Sequence, residues 1–254
     1  MGAKRQVRTP RHRRKGKTTS CSETSRERRS AAGQSRSRAE PGATLIETLS
    51  DEREHSAWAY VVRPERALAA PTLLAPTVAR LATTTAQGTP ELVLVLERRV
   101  VRRREWLRVR LPVRPNGATG WVRAERLGEL HTVRTALVVD RFDLSAILLE
   151  GGSAVWAGPV GTGKPEWPTP GGRFYIRQRL VPERTDRLYG TFLFGTSGYV
   201  PAAPWPGGEL VAIHGTNRPE VLPGRVSRGC IRVHNKDIAV LRELMPLGTP
   251  VHVV

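Results

Sequence analysis

The chain has 254 residues, room for one large domain or two small ones with cores of their own. Its 41 Lys and Arg against 23 Asp and Glu give a formal net charge of +18, but 13 of the basic residues fall in positions 1–41 beside only 3 acidic ones, so a basic surface is not a property of the whole chain. No stretch reaches the roughly 18 apolar residues of a membrane helix, and two cysteines, one of them in the basic N-terminal run, exclude a disulfide framework.

Residues 1–44 are rich in Ser, Arg and Lys and poor in apolar side chains, a composition that predicts a disordered basic tail. It reads first as a solvated leader, then as an electrostatic tether to an anionic polymer or membrane surface. A nucleic-acid arm ranks last, because no aromatic residues interleave the arginines to stack on bases. Ala67 to Ala79, the nearest apolar stretch, is broken by Pro71 and Pro76 and lies too deep for a secretory signal. No apolar segment precedes Cys21, so no lipoprotein signal and no export signal are visible.

Residues 45–76 are mixed and charged, with Pro64 and Pro71 interrupting them, and are expected to form a linker with a short helix. From 77 to 128 the pattern becomes that of a small β domain. Leu92-Val-Leu-Val-Leu96 predicts a buried strand, and Trp106-Leu-Arg-Val-Arg-Leu111 alternates with the two-residue period of a half-exposed one. Pro115-Asn116-Gly117 supplies a tight turn, after which Gly120-Trp121-Val122 resumes extended chain. This arrangement of W-x-x-V and G-W-V resembles a bacterial SH3-like module, a small β-barrel. The Arg98 to Arg104 cluster belongs to a loop there, a solvated face that would also meet acidic wall polymers.

Residues 129–254 read as a second, mostly β domain. Strands are predicted at Thr135 to Val139, Ala146 to Leu149, Ala154 to Val160 and Arg173 to Arg179, with turns at Gly151-Gly152 and Gly171-Gly172. Only Lys236 to Met245 has helical spacing, with Ile238, Leu241, Leu244 and Met245 on one face, Asn235 as N-cap and Gly248 as the stop. A short strand, Pro250 to Val254, closes the chain.

The chemistry concentrates in two runs, Val211-Ala-Ile-His214-Gly-Thr-Asn-Arg-Pro and Ser227-Arg-Gly-Cys230-Ile-Arg-Val-His-Asn235. A thiol with an ordinary pKa near ~8.5 attacks a carbonyl only once it is deprotonated, so a catalytic cysteine needs a base beside it. His214 is the candidate base for Cys230. Gly229 permits backbone angles that aim successive N–H groups at a developing oxyanion.

These runs resemble the signature of the L,D-transpeptidase family, in which His-Gly-Thr precedes Ser/Thr-x-Gly-Cys-hydrophobic-Arg/Asn. Gly161-Thr-Gly-Lys-Pro-Glu-Trp-Pro-Thr-Pro-Gly-Gly-Arg-Phe174 resembles the same family's strand-turn-strand, and the likeness spans Leu130 to Val254. The resemblance implies a β-sandwich catalytic domain with one late helix, and a cysteine enzyme acting outside the cytoplasm, in the cell wall or periplasm, on peptidoglycan stem peptides. It implies no cofactor. Cys230 would be the nucleophile, His214 the base, the Gly215 carbonyl the group orienting the imidazole, and Gly229 and Cys230 the oxyanion donors. Carbapenems would acylate Cys230.

Other residues keep two readings. Arg232 would point to the same side as Cys230, to bind a substrate carboxylate or carbonyl or to make a structural salt bridge. Ser227 would hold the cysteine turn, and Thr216 and Asn217 would line the cleft or bond their own turn. Arg228 stands where the family most often has a second histidine; it can favour a thiolate but cannot act as a base. Three further functions stay open: a zinc site from His214, Cys230 and His234, a non-catalytic wall-binding protein, and hydrolysis at the same centre by an L,D-carboxypeptidase.

Overall fold

The computed structural model describes residues 46–182, 188–201 and 210–254; the tail expected over 1–44 lies outside them. The first half contributes eight strands: β1 Ile46–Thr48, β2 Ser56–Tyr60, β3 Glu65–Leu68, β4 Thr77–Leu81, β5 Leu92–Val101, β6 Arg104–Arg110, β7 Thr119–Arg123 and β8 His131–Val133. They form one sheet in the order β4-β3-β7-β6-β5-β2-β8, with β1 added on β5. Every pairing in it is antiparallel.

Residues 46–68 are therefore three strands, not the expected linker with a short helix, and the sheet runs on past 128 to Val133. The prolines end strands here and do not exclude them. Glu65 lies buried in β3 because Arg123 (2.6 Å) and Arg126 (3.0 Å) neutralise it, an arrangement that a strand reading of Glu-Arg-Ala-Leu does not foresee.

β5 shows why its leucine and valine run is buried on both faces. Side chains alternate sides along a strand: Val93 and Val95 enter the core of the first sheet, while Leu92, Leu94 and Leu96 pack with Trp58, Val133 and Tyr175 on the other side. Tyr175 comes from the second sheet, so β5 is the wall between two cores. β6 departs from the half-exposed expectation at Arg110, which is buried and donates from Nε and Nη2 to the two carboxylate oxygens of Glu52 at 2.8 and 2.7 Å.

The second half contributes β9 Thr135–Asp140, β10 Ser145–Glu150, β11 Ser153–Pro159, β12 Gly161–Gly163, β13 Gly172–Leu180, β14 Leu193–Tyr199, β15 Leu210–His214, β16 Gly224–Ser227, β17 Ile231–Arg232 and β18 Pro250–Val253. One helix, α1 Asn235–Leu244, precedes β18. The sheet order is β11-β10-β9-β18-β13-β14-β15-β17-β12-β16. The pairs β9 with β18, β15 with β17 and β12 with β16 are parallel. Ile238, Leu241 and Met245 of the helix side enter a core with Phe174, Ile176, Phe194, Ile213 and Ile231.

Between the sheets the contacts are polar as well as apolar. Tyr175 donates its hydroxyl to the Leu92 carbonyl (3.1 Å), and Arg177 forms a buried two-point pair with Glu91, its Nε bond measuring 2.7 Å. Gln178 donates to Thr85 (2.9 Å) and Thr89 (2.8 Å).

Candidate active site

The three sequence motifs, spread over 75 residues of chain, meet as neighbouring strands. β15 ends on His214, β17 follows Cys230, and β12 begins the Gly-Thr-Gly run; the sheet places them side by side in the order β15, β17, β12. Parallel register sets Ile213 against Ile231 and His214 against Arg232. Residues directly opposite in a sheet share a face, and residues two apart on one strand do too. His214, Arg232 and, one step before β17, Cys230 therefore face the same side.

His214 is buried, and its Nδ1 lies 2.5 Å from the Gly215 carbonyl. A carbonyl only accepts, so Nδ1 carries the proton and Nε2 is left as the acceptor. Burial pushes the imidazole down to about 4; the Gly215 carbonyl works against that shift and the Arg232 charge adds to it. The Tyr189 ring meets His214 edge-on at 5.0 Å between centroids.

Cys230 is half-buried, and its Sγ lies 3.9 Å from the Leu210 carbonyl, a weak thiol contact. Burial pushes the thiol up, against the Ala212 backbone and the Arg232 guanidinium, both of which favour the thiolate. Both shifts favour the neutral form of the group. Arg232, itself shifted down by burial, lowers both groups through its charge, and the register pairs it with His214 across the two strands. Its Nε is buried without a hydrogen-bond partner, and among the described residues no carboxylate pairs with it.

The cysteine turn is held from within. Ser227 Oγ donates to the Cys230 carbonyl at 2.6 Å and accepts the Gly229 N–H at 3.1 Å. That second bond bears on the expected oxyanion pair, because the Gly229 N–H is engaged by Ser227. What Gly229 supplies is its backbone, with φ at +108°, where a Cβ would lie 2.5 Å from a methyl of Val200.

The histidine loop is held by a residue that sequence analysis assigned to another task. Asn235 is the first residue of α1, and His234 occupies the N-cap position. The Asn235 side chain accepts the Thr216 N–H at 3.0 Å and donates to the Thr216 carbonyl at 2.9 Å. It reaches that loop because Gly215 has no side chain; a Cβ there would lie 2.2 Å from Asn235 Oδ1. Thr216 is buried and accepts the Arg218 N–H at 3.0 Å, so it bonds its own turn, while Asn217 is exposed.

Arg228 lies exposed over the Trp167 ring, 5.2 Å from its centroid. Trp167 belongs to the proline-rich turn, which is tied to the site by Lys164 N–H donating to the Ser227 carbonyl at 3.0 Å. His234 Nδ1 lies 3.5 Å from Asp237, one turn into the helix. Among the described residues no three His, Cys, Asp or Glu side chains converge as a metal site. Tyr189, Trp167 and Asn235 were missed as site residues. The only signal for Asn235 was its position five residues after Cys230.

Residues 134–253 match the model of the YkuD family, the L,D-transpeptidase catalytic domain. Bacillus subtilis YkuD, a protein named as an L,D-transpeptidase, is 36% identical over 93 residues, 37% of this chain and 49% of its own. Escherichia coli ErfK/SrfK, also named as an L,D-transpeptidase, is 36% identical over 97 residues, 35% of this chain and 28% of its own. The chain thus spans about half or less of the length of these curated relatives. A crystal structure of an Enterococcus faecium L,D-transpeptidase overlaps 47% of this chain and 49% of its own at 24% identity, with a TM-score of 0.38. The family match and the named relatives support a YkuD-type L,D-transpeptidase catalytic domain in residues 134–253.

Proposed function

We propose that the chain, with its YkuD-type catalytic domain in residues 134–253, is a cysteine transpeptidase of peptidoglycan. It cuts a stem tetrapeptide before the terminal D-alanine and passes the acyl group to an amine. The observation that supports this reading is the register of β15 and β17, which pairs His214 with Arg232, two residues after Cys230.

The imidazole is neutral at ordinary pH because burial holds it near 4, and with Nδ1 donating to the Gly215 carbonyl, Nε2 is the nitrogen that accepts a proton. Substrate entry turns the thiol away from the Leu210 carbonyl; His214 takes its proton as sulfur attacks the carbonyl carbon. The Arg232 guanidinium, whose Nε is buried without a hydrogen-bond partner, binds a substrate carboxylate or carbonyl. With the Gly229 N–H engaged by Ser227, the Cys230 N–H is the remaining member of the expected oxyanion pair. Collapse of the tetrahedral intermediate breaks the C–N bond, and imidazolium returns the proton to the departing D-alanine amine. An acceptor amine then attacks the thioester, forming the new amide and restoring the thiol.

The first sheet, by its resemblance to SH3-like modules, would contact wall polymer, and the basic tail would adsorb to anionic wall material outside the cytoplasm. No helix among the described residues is long and apolar enough to cross a membrane. Mass spectrometry of the products formed from a tetrapeptide-stem muropeptide tests the assignment. Crosslinked dimer with free D-alanine supports transfer, tripeptide alone makes the enzyme a carboxypeptidase, and unchanged substrate removes the catalytic reading in favour of wall binding.

A further inference from the structure

The first sheet is joined to Tyr199 and Val200 by four hydrogen bonds. The loop joining β6 to β7 lies along the end of β14. Asn116 Nδ2 donates to the Tyr199 carbonyl at 2.8 Å, and Asn116 Oδ1 accepts the Tyr199 N–H at 2.9 Å. The Tyr199 hydroxyl donates to the Pro112 carbonyl at 2.7 Å, and Arg114 Nη2 donates to the Val200 carbonyl at 2.5 Å. The Arg114 guanidinium also lies 5.6 Å from the centroid of the Tyr199 ring.

These bonds fix two successive residues, and the second of them touches the active site. Val200 is 1% exposed, and its methyl groups fill the space where a side chain on Gly229 would stand. Gly229 is held at φ +108° and is bonded directly to Cys230. Adhesion between the sheets does not depend on this contact, since the Glu91–Arg177 pair and the Tyr175 hydroxyl already join them elsewhere. The loop bonds instead converge on the backbone that backs the cysteine turn.

We propose that the 112–116 loop is a positioning device for Cys230: Asn116 and Arg114 fix Tyr199 and Val200, and Val200 holds the Gly229 backbone that aims the thiol. The first sheet is then part of the catalytic apparatus. This rests on Cys230 being the nucleophile. A reacting atom displaced by about 1 Å can cost about a hundredfold in rate, so a loop remote from the chemistry can control turnover without touching substrate.

The test uses the full chain carrying Cys21→Ser, which leaves Cys230 as the single thiol. Asn116→Ala removes the reciprocal pair to Tyr199, and Val200→Ala removes the contact with Gly229 while keeping the loop bonds. Both variants should lower kcat for D-alanine release about tenfold and leave KM within about twofold, since binding groups are untouched. Iodoacetamide alkylation of Cys230, followed against pH, should show a midpoint lower than in the parent as the turn opens to water. Asn116→Asp, which keeps the acceptor for the Tyr199 N–H, should recover part of the rate. Unchanged kcat and alkylation midpoint in both alanine variants would overturn the proposal. So would a fall in kcat that only follows loss of folded protein by circular dichroism, with the midpoint unmoved. Retention of D-alanine release by Cys230→Ala would instead overturn the nucleophile assignment, and the alkylation profile would still decide whether the loop positions that thiol.

Discussion

Burial pushes the Cys230 thiol up and the His214 imidazole down, so both shifts favour the neutral forms, while the Arg232 charge favours the thiolate. Removing the sulfur leaves nothing to acylate, so Cys230→Ala should lose D-alanine release to background, and a carbapenem-sized mass adduct on the native chain should be absent from this variant. The histidine also links stability to pH. Its folded value, about 4, lies below the ordinary 6.5, so in that interval the unfolded chain binds a proton that the folded chain refuses. Stability must therefore fall as pH drops from 6.5 towards 4 and level off below, by about 3 kcal/mol from this group. Urea unfolding of wild type and His214→Gln across that range checks it: the difference between the two should shift in the variant's favour on acidification. A constant difference would mean that the imidazole is not shielded as the structure has it.

At the scale of elements, the site is made where strand ends and one helix start come together. β15 delivers the histidine, the glycine turn before β17 delivers the cysteine, and the first residue of α1 clamps the loop after the histidine. Asn235→Ala breaks two hydrogen bonds to the Thr216 backbone and leaves buried groups unsatisfied, which should cost about 2 kcal/mol of stability. Since the same clamp sets the start of the His214 loop, kcat should fall more than KM changes; a loss of stability with normal turnover would limit Asn235 to a structural part. Gly229→Ala is a harsher change. It requires a side chain at φ +108° and a methyl inside the space of Val200, so the cysteine turn must move. Loss of activity with a retained folded spectrum is the expected outcome, read by D-alanine release and circular dichroism.

At the scale of the molecule, two sheets share the tyrosine, leucine and tryptophan cluster around β5 and are tied by a buried Glu91–Arg177 pair. Burying such a pair is weak evidence of net stabilisation, but leaving one charge without the other is expensive. Glu91→Ala should therefore lower unfolding free energy by about 3–5 kcal/mol, and adding Arg177→Met should recover most of it. Urea denaturation of the single and double variants measures both. If the single variant costs little, the arginine must reach water or another acceptor.

The sequence by itself determined the mostly β character, the late helix, the closing strand and the identity of the cysteine and histidine motifs, because two-residue and helical spacings and the residue types of the motifs are local properties. It pointed to Ser227 as the holder of the cysteine turn but left Thr216 open between cleft lining and a turn bond; in the structure Thr216 accepts the Arg218 N–H. It misread residues 46–68, where short strands carry charged side chains whose partners, such as Arg123 for Glu65, lie 58 residues away. It misread Asn235 for the same reason, since a cap and a clamp look alike until the loop that is clamped arrives. Only the tertiary structure decided that the Gly229 N–H bonds Ser227, that Arg232 lies in register with His214 with its Nε buried and unbonded, and that a loop of the first sheet bonds Tyr199 and Val200. Each of these depends on pairing between distant strands, which is set by how the sheets pack and not by any local pattern.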